Sequence, residues 1–264
     1  MDKTNIHIAE KSFSSGHPQC EMNEKVWWDF WNTSYRLRDD GGEIPTELFT
    51  RTAAVVNQIT PKDGRVLEIG CGAGSLSRRL RYSSYHGVDI SPAAIDIARQ
   101  KHDTLRRADS SVTTYEAADF HDWTAPPEPF DVAVCVDAVA YFRDQSFALK
   151  KMTQSLRRSG ALVLTTINPF VYHRIRRTPS RPLSEGSISR WLTRDELHGL
   201  MKSAGLSLEK SYTIMPRGDA GFLRIINSRH LNHLFGSRWA NCLKRMKERV
   251  GLGQYRVVVG RKIQ

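Results

Sequence analysis

The sequence predicts an α/β fold in which a mainly parallel sheet carries helices on both faces. Two observations predict it. Apolar, strand-like segments alternate along the chain with segments of helical periodicity, which is the order of βαβ units. The first of these strands runs directly into a glycine-rich turn, as at the carboxyl edge of open α/β sheets. The chain has 264 residues, of which 40% are apolar, and this suffices for one such domain with additional segments.

The first predicted strand covers residues 66–69 and contains Glu68, and residues 70–74 read Gly-Cys-Gly-Ala-Gly. Glycines at alternate positions allow a sharp turn and let a ligand approach the backbone to van der Waals distance. The spacing differs from the Gly-x-Gly-x-x-Gly of dinucleotide sites, and the Lys-Ser/Thr pair of a phosphate loop is absent. We therefore expect a nucleotide-like ligand, and the turn matches neither of these two phosphate-binding patterns. Residues 75–80 are predicted to continue as a helix.

The second predicted strand, residues 84–90, places the carboxylate of Asp89 21 residues after Glu68. Its two oxygens suit the acceptance of hydrogen bonds from both hydroxyls of a ribose, as the acidic residue does in dinucleotide folds. Ser91 and Pro92 then have the residue types of an N-cap and a first helical residue, so a helix is expected after this strand.

The remaining elements keep the same alternating order. Thr193 and Glu196 form a capping box at the start of a helix that should end before Gly205. The other predicted elements are a third strand over about residues 111–118, a fourth over 130–136, a helix over 145–158, a fifth strand over 160–167, and final strands over 206–214 and 255–263.

The glycine pattern and the preceding Glu68 resemble motif I of the class I S-adenosylmethionine (SAM) dependent methyltransferases, in which the turn lies under the methionine part of SAM. The most similar subgroup is the ubiquinone-pathway O-methyltransferases and their small-molecule relatives. The segments that carry this similarity are Cys135 to Asp137 and residues 165–168. Members of that subgroup often carry Glu-His where this chain has Ala140 and Tyr141, so the resemblance implies neither a metal role nor a base at this position.

The resemblance implies a Rossmann-like sheet of seven strands whose last strand is antiparallel. It divides the chain into an N-terminal helical lid over residues 1–60, a SAM-binding core over 61–215, a basic helical insertion over 216–253 and the final strand of the core sheet over 254–264. SAM is the implied cofactor, and S-adenosylhomocysteine is its product.

The resemblance also implies roles for individual side chains. Asp89 would bind the ribose. Asp119 would accept a hydrogen bond from the adenine amino group, and the adjacent Phe120 would lie against the adenine ring. Arg36 or Tyr35 of the lid would reach the SAM carboxylate. The expected cofactor-binding residues are Arg36, Glu68, Gly70, Cys71, Gly72, Gly74, Asp89, Ile90, Asp119, Phe120 and Val136.

Methyl transfer to a hydroxyl needs an aligned acceptor and benefits from a base that takes the hydroxyl proton. Histidine suits that task near neutral pH, and His173 follows the fifth strand on the loop that should face the methyl group. Tyr141 is the second catalytic candidate, for orienting the acceptor. The alternatives are that His173 is an exposed bystander and that Tyr141 only packs.

We predict SAM-dependent methylation of an oxygen on a small-molecule metabolite. The alternatives are methylation of nitrogen or carbon in a small molecule, methylation of RNA, and a cyclase that binds SAM without transferring a methyl group. Residues 137–140 lack the Asn/Asp-Pro-Pro-Tyr/Phe motif of enzymes that methylate exocyclic base amines. A nucleic-acid partner is therefore disfavoured, although basic charge leaves RNA open.

Positive charge is concentrated near the end of the sequence. The formal net charge is +11, and residues 216–264 carry eleven Lys or Arg against Asp219 and Glu248. This asymmetry indicates either a solvated basic face or an acidic partner, namely an anionic small substrate, nucleic acid or an anionic membrane surface.

A basic amphipathic helix is predicted within this segment, because four apolar residues recur at helical spacing. We expect their side of the helix to cover the core; the alternatives are pairing between subunits and peripheral contact with an anionic membrane. The four residues are Trp239, Leu243, Met246 and Val250.

The cysteines at positions 20, 71, 135 and 242 have no metal-like or disulfide-like spacing, so we expect reduced thiols, buried in the strand and turn positions. The sequence starts without a signal-peptide pattern and lacks an apolar run of about 18 residues, so a cytoplasmic location is expected. The oligomeric state stays open.

Overall fold

The computed structural model describes residues 43–104, 111–171, 191–216 and 241–263. Seven strands form one sheet. They are β1 (Arg65–Ile69), β2 (Ser84–Asp89), β3 (Val112–Ala117), β4 (Phe130–Val136), β5 (Leu156–Ile167), β6 (Leu206–Ile214) and β7 (Tyr255–Lys262).

The strand order is β3-β2-β1-β4-β5-β7-β6. The pairs among β1 to β5 are parallel, whereas β7 runs antiparallel to both β5 and β6. The predicted Rossmann-like sheet with an antiparallel last strand is therefore confirmed. The strand order reverses at β1, which lies between β2 and β4, and ligands of open α/β sheets bind beside the carboxyl ends at such a point.

Five helices are described around this sheet: α1 (Glu43–Ile59), α2 (Pro92–Thr104), α3 (Gln145–Gln154), α4 (Arg194–Ser203) and α5 (residues 241–249). The predicted capping box of α4 is confirmed, because Thr193 and Glu196 bond each other's backbone N–H groups. At the start of α3, the Asp144 side chain accepts the N–H of Phe147 at 2.9 Å.

Apolar side chains fill both faces of the sheet. On one face, Leu48 and Val56 of α1 and Ile95 of α2 belong to one core cluster with residues such as Val134 and Val163. On the other face, α3 and α4 contribute to a second cluster that includes the neighbouring strand residues. This alternation along the strands is what a sheet buried on both faces requires.

Residues 75–80 form turns and one short 3₁₀ segment, Ser77–Arg79, instead of the predicted helix. The Ser77 hydroxyl donates to the Gly74 carbonyl at 2.9 Å and lies 2.7 Å from the Tyr115 hydroxyl. These side-chain bonds compete with regular helical hydrogen bonding. The prediction was wrong because it considered local spacing without the hydroxyl that β3 brings beneath the turn.

The helix predicted over residues 145–158 is also shorter than expected, since α3 ends at Gln154 and β5 begins at Leu156. Leu156 pairs with Phe130 of β4, and its side chain is buried. Tertiary pairing thus overrides the helical tendency of these residues.

α5 packs against α1 through charged side chains. Lys244 lies 2.7 Å from Glu47, and Arg51 lies 2.6 Å from Glu248. The prediction that the apolar side of this helix covers the core was wrong for its described part, because Met246 is 50% exposed while Lys247 is buried. The reason is that α1 carries Glu47 and Arg51 where it faces α5. These side chains form ion pairs with the charged side of α5, so that side packs against α1.

Most of the predicted lid, the loop after β5 and much of the basic insertion lie outside the described residues. None of the helices in the described parts of the chain has the length and hydropathy of a membrane span. The predicted domain boundaries at residues 60, 215 and 253 remain predictions.

Candidate active site

The turn after β1 is held against the end of β2. The N–H groups of Gly70 and Cys71 both donate to the Val88 carbonyl, at 2.8 and 3.2 Å. Gly70 has a φ of +70°, and a Cβ built on it would lie 2.5 Å from the Cβ of Ala138. Glycine is therefore required here both by the backbone conformation and by the close approach of the segment after β4.

Asp89 lies at the end of β2 and is buried. Its Oδ2 accepts the N–H of Gly72 at 2.8 Å, and its Oδ1 accepts the N–H of Ser91 at 2.9 Å. Burial raises the pKa of this carboxyl, and the two backbone donors partly oppose that rise. Each oxygen retains acceptor capacity, so the carboxylate can hold the turn and still bind a ribose hydroxyl.

Glu68 is completely buried one residue before the end of β1. Its Oε2 accepts a hydrogen bond from the Tyr85 hydroxyl at 2.5 Å, whereas its Oε1 is buried without a hydrogen-bond partner. Burial raises the pKa of Glu68 to about 8; the Tyr85 hydroxyl lowers it, and the charge of Asp89 raises it further. Glu68 is therefore mostly a neutral acid at pH 7.

Two buried thiols lie among these carboxyls, as predicted for Cys71 and Cys135. Burial raises the pKa of both, and the neighbouring charge of Glu68 adds to the rise at each thiol. A thiol with a raised pKa is a poor nucleophile. These cysteines therefore line the site without a nucleophilic role.

Asp119 follows β3, where the adenine contact was predicted. Its Oδ1 accepts the backbone N–H of His121 at 2.8 Å, and its Oδ2 accepts Arg143 Nη2 at 3.1 Å. The ring of Phe120 is buried and stacks on Trp123 at 5.6 Å between ring centroids. The ring thus contributes to the core. Its contact with adenine remains a prediction.

Asp137, the residue directly after β4, was not predicted as a site residue. It has a φ of +54°, a conformation that is rare for non-glycine residues and concentrated at functional sites. Its Oδ1 is buried without a hydrogen-bond partner. Burial raises the pKa of this carboxyl to about 7, opposed by the backbone N–H of Ile167. A carboxylate at the end of a buried strand was the signal that could have identified it.

Of the two predicted catalytic residues, His173 and Tyr141, the structure describes Tyr141. Tyr141 ends the 3₁₀ segment Val139–Tyr141 and is partly exposed. His173, Arg36 and Tyr35 lie outside the described residues. Within the described ranges, no group of three or more His, Cys, Asp or Glu residues is arranged to hold a metal ion.

Three carboxyls, those of Glu68, Asp89 and Asp137, therefore lie at or beside the carboxyl ends of β1, β2 and β4, around the glycine turn. A family model described as a methyltransferase domain matches residues 43–211. The chain belongs to the class I SAM-dependent methyltransferases. SAM is its cofactor, and the site fits this group, since both oxygens of Asp89 retain acceptor capacity for its ribose hydroxyls.

Relatives of this methyltransferase include the ubiquinone biosynthesis O-methyltransferase of Coxiella burnetii. The two are 28% identical over 144 residues, which is 53% of this chain and 57% of the relative. The chain thus spans little more than half the length of the curated relatives it matches.

Among solved structures, the magnesium protoporphyrin IX methyltransferase ChlM of Synechocystis PCC 6803 with bound SAM has a TM-score of 0.59 and 14% sequence identity, covering 93% of this chain and 100% of that one. The [4+2]-cyclase SpnF has a TM-score of 0.55 and 16% identity, covering 81% of each chain. These similarities show the fold that this methyltransferase shares with them, and the assignments of individual side chains to SAM remain predictions.

Proposed function

We propose that this methyltransferase transfers the methyl group of SAM to an oxygen of a small-molecule acceptor, and that Asp137 takes the acceptor proton. The observation that supports this proposal is the buried, unpartnered Oδ1 of Asp137, directly after β4. Among the polar groups described at these strand ends, Asp137 combines an open acceptor atom with a pKa of about 7. A general base works best when its pKa lies near the working pH.

The chain's own residues divide the work among binding, orientation and proton transfer. When bound, SAM supplies a methyl group on a positively charged sulfur. The glycine turn and Asp89 would bind its methionine and ribose parts, and Asp119 would orient the adenine. Asp137 would accept the hydroxyl proton on Oδ1 as the acceptor oxygen gains the methyl group. The carboxylate thereby becomes a neutral acid, the form that its buried position favours.

Two further facts favour oxygen as the methylated atom. The curated relatives with the matching segment are named as O-methyltransferases, among them a malonyl-[acyl-carrier protein] O-methyltransferase of Halorhodospira halophila. The segment after β4 lacks the Asn/Asp-Pro-Pro-Tyr/Phe motif of enzymes that methylate exocyclic base amines. Small-molecule nitrogen or carbon acceptors, RNA and the non-methylating alternative are outcomes that the experiment below distinguishes.

The experiment has two parts. SAM and S-adenosylhomocysteine binding is measured by calorimetry, and the protein is then incubated with labelled SAM and a metabolite extract, with products identified by mass. A labelled methyl ether or ester supports the proposal. A product labelled on nitrogen or carbon contradicts the oxygen acceptor, and labelled RNA contradicts the small-molecule acceptor. Binding without transfer supports the non-methylating alternative.

The role of Asp137 is tested with the substitution Asp137→Asn, using Asp122→Asn as the control because Asp122 has an exposed side chain. We expect Asp137→Asn to lower kcat by about 10²- to 10⁴-fold, the usual contribution of a general base, while SAM affinity is retained. The control should retain both. Full activity of Asp137→Asn would exclude this residue as the base.

A further inference from the structure

Arg256, the second residue of β7, is a partly buried cation without a counter-ion in the part of the chain that the structure describes. No described carboxylate lies within 4.0 Å of its guanidinium nitrogens, and its Nε is buried without a hydrogen-bond acceptor. Burial lowers the pKa of Arg256, and the nearby Arg194 lowers it further, against a smaller opposing effect of Asp195. Buried charges in proteins are normally paired.

Two other polar groups beside Arg256 are also unsatisfied. Thr166 lies directly opposite Arg256 in the β5–β7 pair, and its hydroxyl is buried without a hydrogen-bond partner. Gln254 lies at the bend directly before β7, two residues before Arg256. The Gln254 Oε1 is buried and unpartnered as well. An unpartnered hydroxyl and a cation therefore lie opposite each other on β5 and β7, and an unpartnered amide oxygen lies at the adjoining bend.

This place lies at the carboxyl end of β5, next to the proposed base. The N–H of Asp137 donates to the carbonyl of Thr165 at 2.9 Å, so Asp137 adjoins the strand position beside Thr166. The pairing continues past the strand ends, because the N–H of Asn168 donates to the Gln254 carbonyl at 2.8 Å. A ligand that occupies this position would therefore extend toward Asp137.

We propose that Arg256, Gln254 and Thr166 form a subsite for an anionic oxygen group of the acceptor, a carboxylate or a phosphate. A guanidinium binds such groups through parallel N–H donors, and the Thr166 hydroxyl adds a third donor. Gln254 Oε1 would accept a hydroxyl or N–H group beside the anionic group. The assignment of this subsite to the acceptor rests on the proposed function, whereas anion binding at Arg256 does not.

The test measures anion binding without SAM or methyl transfer. The Nε–H signals of the arginines are followed by NMR while the full chain is titrated with malonate, with inorganic phosphate, and with glycerol as a neutral control. Arg256→Lys identifies the Arg256 signal. Arg261 is the internal control, because its guanidinium is already paired with Glu209 at 2.6 Å. Arg78, which is exposed, reports non-specific anion contact.

We expect the Arg256 signal to shift saturably with malonate or phosphate and to stay unchanged with glycerol, while Arg261 and Arg78 do not saturate. The anion that saturates at the lower concentration identifies the group that the subsite prefers. Thr166→Val is close to isosteric and should weaken this binding by about tenfold, the loss expected for one hydrogen bond to a charged group.

An Arg256 signal that moves no more than that of Arg78 would overturn the subsite, and so would unchanged affinity in folded Thr166→Val. Saturable binding in a protein that transfers no methyl group to oxygen would leave the subsite standing and contradict the proposed function. Failure of one proposal can thus be distinguished from failure of the other.

Discussion

The carboxylate of Asp89 accepts the backbone N–H of Gly72 at 2.8 Å and so joins the end of β2 to the glycine turn after β1. The same carboxylate accepts the N–H of Ser91 at the start of α2. One side chain therefore fixes the ends of two elements and still presents lone pairs to a ribose. Substitutions of Asp89 should therefore distinguish its role in binding SAM from its role in holding the turn.

Asp89→Ala should weaken SAM binding by about 1–3 kcal/mol, since hydrogen bonds to a charged group are lost. Asp89→Asn keeps one acceptor oxygen and should lose less. Calorimetry with SAM measures both, and Asp96→Ala on the exposed side of α2 is the control. Unchanged affinity in Asp89→Ala would contradict the ribose assignment.

Gly74→Ala tests the packing of the turn on β3. A Cβ at this position would lie 2.8 Å from the Tyr115 hydroxyl and 3.2 Å from the Cβ of Ala98, and the φ of +70° disfavours any side chain. We expect the free energy of unfolding in urea to fall by about 1–3 kcal/mol.

Gly199→Ala is the matched control for this substitution. A Cβ at Gly199 meets no atom within 4 Å, and the residue lies inside α4. Alanine should therefore stabilise the protein by about 0.5–1 kcal/mol. Equal effects of the two substitutions would contradict the proposed packing of the turn.

The sheet and its glycine turn could be predicted because their signals are local. A buried strand followed by Gly-Cys-Gly-Ala-Gly predicts the turn, and the carboxylate at the end of the next strand predicts a ribose-binding position. The bond between Asp89 and the turn was not predicted. Asp137 also follows a buried strand, but this signal alone does not identify it as a base. Its value as a base depends on burial and on an unpartnered oxygen, and both arise only when β4 and β5 pack together.

The charged side of α5 shows the same limit. The helical spacing of its apolar residues was visible in the sequence, but the side that turns inward depends on the partner. α1 offers Glu47 and Arg51, so ion pairs with Lys244 and Glu248 outweigh burial of Met246. The apolar spacing of α5 alone therefore could not predict which side of the helix packs against α1.

Glu68 should make stability depend on pH. The folded protein retains the proton of Glu68 up to a pH of about 8, whereas an unfolded chain loses it near pH 4.3, about the ordinary glutamate value. The folded state therefore binds more protons between these limits, and the contribution of Glu68 to stability decreases as the pH rises through this window.

Glu68→Gln keeps the shape and an acceptor for the Tyr85 hydroxyl but cannot ionise. Relative to this variant, the wild type should lose stability from about pH 5 to pH 8, at no more than about 1.4 kcal/mol per pH unit. Urea unfolding at several pH values measures the difference, with Glu128→Gln at an exposed position as the control. A constant difference between wild type and Glu68→Gln across this range would contradict a protonated Glu68.

Glu248 connects α5 both to α1 and to the end of β6. Its Oε1 accepts Arg51 Nη1 at 2.6 Å and the N–H of Met215 at 3.2 Å, and its backbone carbonyl accepts the Thr213 hydroxyl. Glu248→Ala should lower the free energy of unfolding by about 1–3 kcal/mol, because the Met215 N–H loses its acceptor and the partly buried Arg51 guanidinium keeps only its pair with Glu47.

The double variant Arg51→Ala with Glu248→Ala distinguishes this coupling from a general loss of helix stability. If the Arg51–Glu248 ion pair holds α5 on α1, the double variant loses less free energy of unfolding than the two single variants lose together, since each single variant removes the same bond. Arg249→Ala, at an exposed position of the same helix, should change stability little. Strict additivity of the two single effects would mean that α5 is held by its other contacts, among which the pair of Lys244 with Glu47 is the next to test.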